Sequence, residues 1–183
     1  MFGGLGVVVS TSDRTADRPP PAPEASVQPP TKKSTPVATA KRRPALVRVV
    51  VTGVGAFDPE GDGSENDGDA RLATDGNSST AWKSERYRSV FTKRGVGLVV
   101  DAGRPVRAKR LIVATETPGF EVQVQVGSSA KGPFAAVSKT TVTTQKTTLA
   151  LRPRSGRYLM LWISSMPETG AAAVNEITTT VER

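Results

Sequence analysis

The chain has 183 residues with 25 Lys or Arg against 17 Asp or Glu, a net charge of +8, no histidine and no cysteine. That length holds one ordinary domain plus a tail. The two missing residue types exclude disulfide frameworks, thiolate nucleophiles, His-ligated zinc and Ser-His-Asp chemistry, so a binding or structural role is expected in place of an enzymatic one.

In chain order, Met1 to Val9, MFGGLGVVV, is apolar and uncharged. It is far shorter than the roughly 20 residues that cross a bilayer core, and no basic segment precedes it as in a signal peptide. It reads either as the tail end of a transmembrane helix whose upstream part lies outside this chain, or as an arbitrary start. Ser10 to Pro44 is rich in Pro, Ser, Thr and Lys/Arg and short of large apolar residues. It cannot bury enough surface to offset chain entropy, which predicts a disordered, partly extended spacer.

From Ala45 onward the pattern changes to short β-type runs. Val47 to Gly53 is β-branched, Gly97 to Asp101 and Ala108 to Thr115 read as buried strands, and Phe120 to Val126 alternates apolar and polar residues. Further strands are expected after Asp75-Gly76 around Trp82, and at Ala135–Lys139, Thr147–Leu151, Tyr158–Ile163 and Ala173–Val181. No segment carries a sustained helical period. Strands at this spacing, with Gly/Pro turns between them, predict an all-β, antiparallel jelly-roll sandwich over residues 45–183.

Two loops carry candidate chemistry. Phe57 to Asp69, FDPEGDGSENDGD, nearly meets the EF-hand spacing at Asp58, Glu60, Asp62 and Gly63. Asp69, however, stands where a bidentate glutamate is required, and no helical pattern flanks the loop, so it reads equally as a solvated acidic segment. Leu72 to Trp82, LATDGNSSTAW, joins a tight-turn signal at Asp75-Gly76 to a large aromatic.

This second string resembles the A-x-D-G-[ND]-x-x-T-x-W signature of discoidin-type, galactose-binding-like modules. The GLVVDAG run of Gly97 to Gly103 and the closing VNEITTTV of Val174 to Val181 resemble two further strands of that family. More narrowly, FDPEGDGSEN, STAWKSERYRS and GVGLVVDAG look like the extracytoplasmic C-terminal module of actinobacterial peptidoglycan-flippase/kinase-like membrane proteins. The resemblance implies a non-catalytic, carbohydrate-binding jelly roll on the outer face of the membrane, attached through an upstream segment and meeting cell-wall glycan, an anionic wall polymer or a protein of wall synthesis.

It also implies sites. Family members bind ligand through loops at one end of the sandwich, which here selects Arg86, Tyr87 and Arg88, with Asp58 and Asp62. Calcium-binding members brace the signature turn with an ion, and the corresponding oxygen donors are the carbonyl of Leu72, Asp75, Asn77, Thr80 and Glu176.

Charge is uneven along the domain. Asp58 to Asp75 holds seven acidic residues against Arg71 alone, whereas Lys83 to Arg157 holds fifteen basic against four acidic. Such a field attracts nucleic acid, anionic lipid or anionic polymer alike. No recognition helix, zinc knuckle or basic-aromatic ribonucleoprotein string is present, so nucleic acid is not expected as a partner. Two further readings stay open: a protein-interaction ectodomain with no sugar ligand, and a glycosidase using Asp58 and Glu85, which requires two carboxyls roughly 5 to 9 Å apart across a cleft.

Overall fold

The computed structural model describes residues 45–183, so the expectations for Met1–Val9 and Ser10–Pro44 lie outside the described residues. The β-branched run that opens the domain forms two strands where one was expected, β1 (Leu46–Val49) and β2 (Thr52–Phe57). They belong to different sheets. Val50 is exposed and Val51 is buried, so the chain changes layer between them.

The remaining strands are β3 (Trp82–Lys83), β4 (Val96–Val106), β5 (Ala108–Ala114), β6 (Glu121–Gly127), β7 (Phe134–Ala136), β8 (Thr141–Val142), β9 (Lys146–Ala150), β10 (Gly156–Ser165), β11 (Ala173–Val174) and β12 (Glu176–Glu182). One sheet has the order β1-β12-β5-β9. The larger has β2-β4-β10-β6-β7 with β8 also on β6, and β11 pairs with β3 apart from both. Every pairing is antiparallel. This is the expected jelly-roll sandwich.

Alternation along the strands builds the core. Leu98 and Val100 of β4, Val122, Val124 and Val126 of β6, and Leu159, Leu161 and Ile163 of β10 meet Leu111, Val113, Leu149 and Ile177 of the smaller sheet. At roughly 1.5–3 kcal/mol for each fully buried large apolar side chain, this layer is the main source of stability.

Three local features depart from the sequence reading. A 3-10 helix spans Asp67–Ala73 where only an acidic loop was expected. Just over two turns of 3-10 geometry are too short to show a helical period, and this helix is fixed by tertiary contact: Ala70 and Ala73 are buried, and Gly53 N donates to Thr74 Oγ1 at 2.9 Å. The closing strand is broken at Asn175 into β11 and β12. The Asn175 amide donates to the carbonyls of Ser78 and Thr80 at 3.1 and 3.2 Å and thereby ties the signature turn to the last strand. The third is β8, two residues long, which carried no signal of its own.

Candidate functional site

Trp82 anchors the site. It is fully buried, and its indole N–H donates to the Glu65 carbonyl at 2.8 Å. That bond pins the acidic loop to the signature strand. The Glu65 side chain is also wholly buried, and its carboxylate is the hub of a polar network. It accepts from the Glu85 backbone N–H at 2.7 Å, from the Tyr87 hydroxyl and from Lys93 Nζ at 3.4 Å.

Lys93 also donates to Asp58 Oδ2 at 2.8 Å and to the Tyr87 hydroxyl at 3.0 Å, while the Tyr87 ring meets Phe91 edge-on with centroids 4.8 Å apart. The environment moves both titrations. Burial, reinforced by the Glu65 carboxylate, pushes the Tyr87 hydroxyl up to about 12. Burial alone would lower Lys93, but its hydrogen bonds to Asp58 and Tyr87 outweigh that and hold it above the ordinary lysine value.

The expected ligand residues therefore fall into different positions. Asp58 and Tyr87 are brought together, as polar members of this network and not as a free sugar platform. Arg86 donates to the Thr169 carbonyl at 2.9 Å, and Asp62 closes its own turn by accepting from Ser64 N at 3.0 Å. Arg88 is exposed. The near-EF-hand spacing does not gather its carboxylates, because Asp58 is held by Lys93 and Glu60 by Arg94. Asp58 and Glu85 make no shared contact either; Asp58 holds Lys93, whereas Glu85 enters the network through its backbone.

Immediately beyond the network, on the outer face of the six-stranded sheet, lies a cleft of about 470 Å³. Phe57, Phe134 and Trp162 line it, with Met160 between them and Arg94 and Gln125 among the polar groups. The Phe57 ring lies 5.6 Å from Phe134, edge-on, and 6.3 Å from Trp162.

Register assembles these residues. Gly97 pairs with both Phe57 and Trp162, Met160 pairs with Gln125, and Phe134 pairs with Gly127. Two glycines of the β4 segment make room for the floor of the cleft: a Cβ at Gly95 would stand 2.4 Å from the Trp162 ring, and one at Gly97 would stand 2.5 Å from the Met160 sulfur. The buried network sets the rim, since Phe57 adjoins Asp58 and Arg94 adjoins Lys93. Glu60 completes it by binding both the side chain and the backbone N–H of Arg94, the latter at 2.8 Å.

The sequence reading missed this cleft. A signal was available: β10 is apolar on both faces, Leu159, Leu161 and Ile163 pointing inward while Tyr158, Met160 and Trp162 point out. A strand facing water on its outer side alternates with polar residues. Glu65 had no comparable signal among its acidic neighbours.

The expected calcium donors gather at the signature turn. Gly76 takes the positive φ (78°) anticipated for Asp75-Gly76, and its N–H donates to Glu176 Oε2 at 3.0 Å. The Asp75 carboxylate accepts from Asn77 N and the Thr80 hydroxyl, both at 2.8 Å, which holds it below the usual carboxylate range. Leu72 lies in the 3-10 helix that leads into the turn. The donor set is all oxygen, as a hard cation requires. It carries only two carboxylates, one of them facing Arg48 at 3.5 Å, and among the described residues no three acidic groups converge.

No protein family matches the chain by its sequence profile. Solved structures do. A chitosan-binding module of a chitosanase/glucanase from Paenibacillus sp. IK-5 matches at 17% identity and a TM-score of 0.58, covering 73% of this chain and 98% of the module. The family 32 carbohydrate-binding module of NanJ from C. perfringens, in complex with galactose, matches at 16% identity and 0.54, covering 75% and 100%. A module of the same kind from a family 31 glycoside hydrolase of Clostridium perfringens matches at 13% identity and 0.55, covering 71% and 90%. This chain has the fold of the family 32 carbohydrate-binding modules. Identity at this level extends to architecture and not to ligand, which has to be argued from the cleft.

Proposed function

We propose that this chain is a non-catalytic glycan-binding module and that the cleft on its six-stranded sheet receives the sugar. The observation that carries this is the grouping of Phe57, Phe134 and Trp162 with Arg94 and Gln125. A pyranose ring has an apolar C–H face and a hydroxyl edge, and an aromatic wall beside a guanidinium and an amide complements both. Asp58, Lys93, Glu65 and Tyr87 act as positioning residues that hold the two loops at the rim. That similarly folded modules bind galactose or chitosan supports the carbohydrate class.

The finer assignment rests on the resemblance of the loop strings. On it, the glycan belongs to the cell wall, the module faces the wall from the outer side of the membrane, and an upstream segment attaches it to a membrane protein of peptidoglycan synthesis. A calcium ion held by the Leu72 carbonyl, Asp75, Asn77, Thr80 and Glu176 would brace the signature turn against the last strand.

Isothermal titration against galactose, chitosan oligosaccharides and muropeptides tests the proposal. Saturable binding to one class is expected, and Trp162→Ala should weaken it by about thirtyfold, the equivalent of about 2 kcal/mol for a buried aromatic contact. A second reading puts the sugar on the loops that carry Asp62 and Arg88, both exposed; it predicts loss in Arg88→Ala with Trp162→Ala unaffected. Silence toward every glycan would leave a protein-docking ectodomain as the function.

A further inference from the structure

The end of the sandwich where the described chain begins carries a second concave feature, separate from the aromatic cleft. It is a groove of about 470 Å³ lined by Val47, Val106 and Val181 and by Arg104, Arg107 and Arg183. Strand register explains why these residues meet. Val106 pairs with Gly156, Ala108 with Val181 and Leu46 with Glu182, and Arg183 N donates to the Ala45 carbonyl at 3.0 Å. The β4–β5 corner, the turn before β10 and both ends of the described chain therefore converge.

Basic residues outnumber acidic ones at this end. Its acidic residues are engaged, Glu182 with Lys109 and Asp101 with Arg157, each at 2.7 Å. Arg104, Arg107, Arg154 and Arg183 are exposed and have no ion-pair partner among the described residues. An exposed aliphatic side chain sits among them, Val47 at 38% of full exposure.

We propose that this arginine-rich end docks on a membrane surface of anionic phospholipid headgroups. Guanidinium groups pair bidentately with phosphate, and a surface carrying many phosphates rewards several cations presented together. The interleaved Val47 suits the apolar boundary beneath headgroups, a feature that a linear polyanion in water would not use. The arrangement also orients the module. Gly97 in the cleft pairs with Trp162, and Val106 at the basic groove pairs with Gly156, six positions away on β10. At strand rise that is roughly 20 Å, so a module seated on its arginines holds the aromatic cleft away from the lipid.

The test is co-sedimentation of the full chain with vesicles of equal parts phosphatidylglycerol and phosphatidylcholine, against vesicles of phosphatidylcholine alone. Binding is expected only to the former, weakening with salt. Arg104→Gln, Arg107→Gln and Arg183→Gln should each lower the affinity about fivefold. Lys146→Gln, at the opposite end of β9, should leave it unchanged. Circular dichroism of each variant reports whether the fold is kept.

Soluble polyphosphate separates lipid from phosphate chemistry alone: Val47→Ser should weaken vesicle binding and not polyphosphate binding. Equal loss with both ligands, no preference for the anionic vesicle, or a triple arginine variant that sediments like the parent would each overturn the proposal. None of these outcomes depends on the glycan titration, so the two proposals stand or fall separately.

Discussion

Among the described residues, Lys93 is the one cation paired with the two buried carboxylates of Asp58 and Glu65. The Asp58 and Glu65 side chains are fully buried, and the lysine is itself only 18% exposed. Removing one partner of a buried pair costs roughly 3–5 kcal/mol, because the remaining charge loses its compensation without regaining water. Lys93→Ala should therefore lower the denaturant midpoint sharply, and Arg88→Ala, an exposed cation of the neighbouring loop, should barely move it. Alkaline pH tests the same contacts. The Tyr87 hydroxyl rises from 10.0 to about 12, and Lys93 also rises, so both groups hold their protons more tightly folded than unfolded. Their stabilisation is complete below about pH 10 and is lost as pH climbs through the folded values. The denaturant midpoint should fall from about pH 10 upward, less steeply in Tyr87→Phe, and a flat profile across that range would contradict the network.

At the level of elements, the cleft depends on the side chains missing at Gly95, just before β4, and at Gly97 within it. Gly95→Ala forces a methyl against both the Trp162 ring and the Ile163 carbonyl, and overpacking of this kind costs roughly 1–3 kcal/mol. The expected result is a modest drop in the thermal midpoint with a disproportionate loss of glycan affinity, since the displaced ring lines the cleft; unchanged affinity would place the ligand elsewhere. The signature turn and β12 form a second such unit, joined by Gly76, Glu176 and Asn175. If calcium occupies this junction, adding it to chelator-treated protein raises the thermal midpoint, and Glu176→Gln abolishes the rise. No shift in the parent protein would dispose of the ion.

Over the whole molecule, chemistry is distributed along the strand direction. The aromatic cleft and the acidic loop sit towards one end of the six-stranded sheet, and Arg104, Arg107, Arg154 and Arg183, without an ion-pair partner among the described residues, gather at the other. The uneven charge was visible in sequence, but only as two stretches of opposite sign.

The linear sequence determined the architecture: apolar alternation, turn residues and the DGNSSTAW string are local, and each strand's inward face follows from its own neighbours. It also brought the calcium-donor candidates to one turn, because most of them lie within nine residues. What it did not contain was pairing between distant segments. Glu65 becomes a hub only when Trp82, Tyr87 and Lys93 fold around it. Val47–Gly53 splits because two sheets compete for it. Phe57, Phe134 and Trp162 become a cleft only when β4 and β6 join their three strands, β2, β7 and β10, into one sheet. Burial, and hence the charge state and accessibility of a side chain, is a property of its spatial neighbours, and these were decided by the tertiary structure alone.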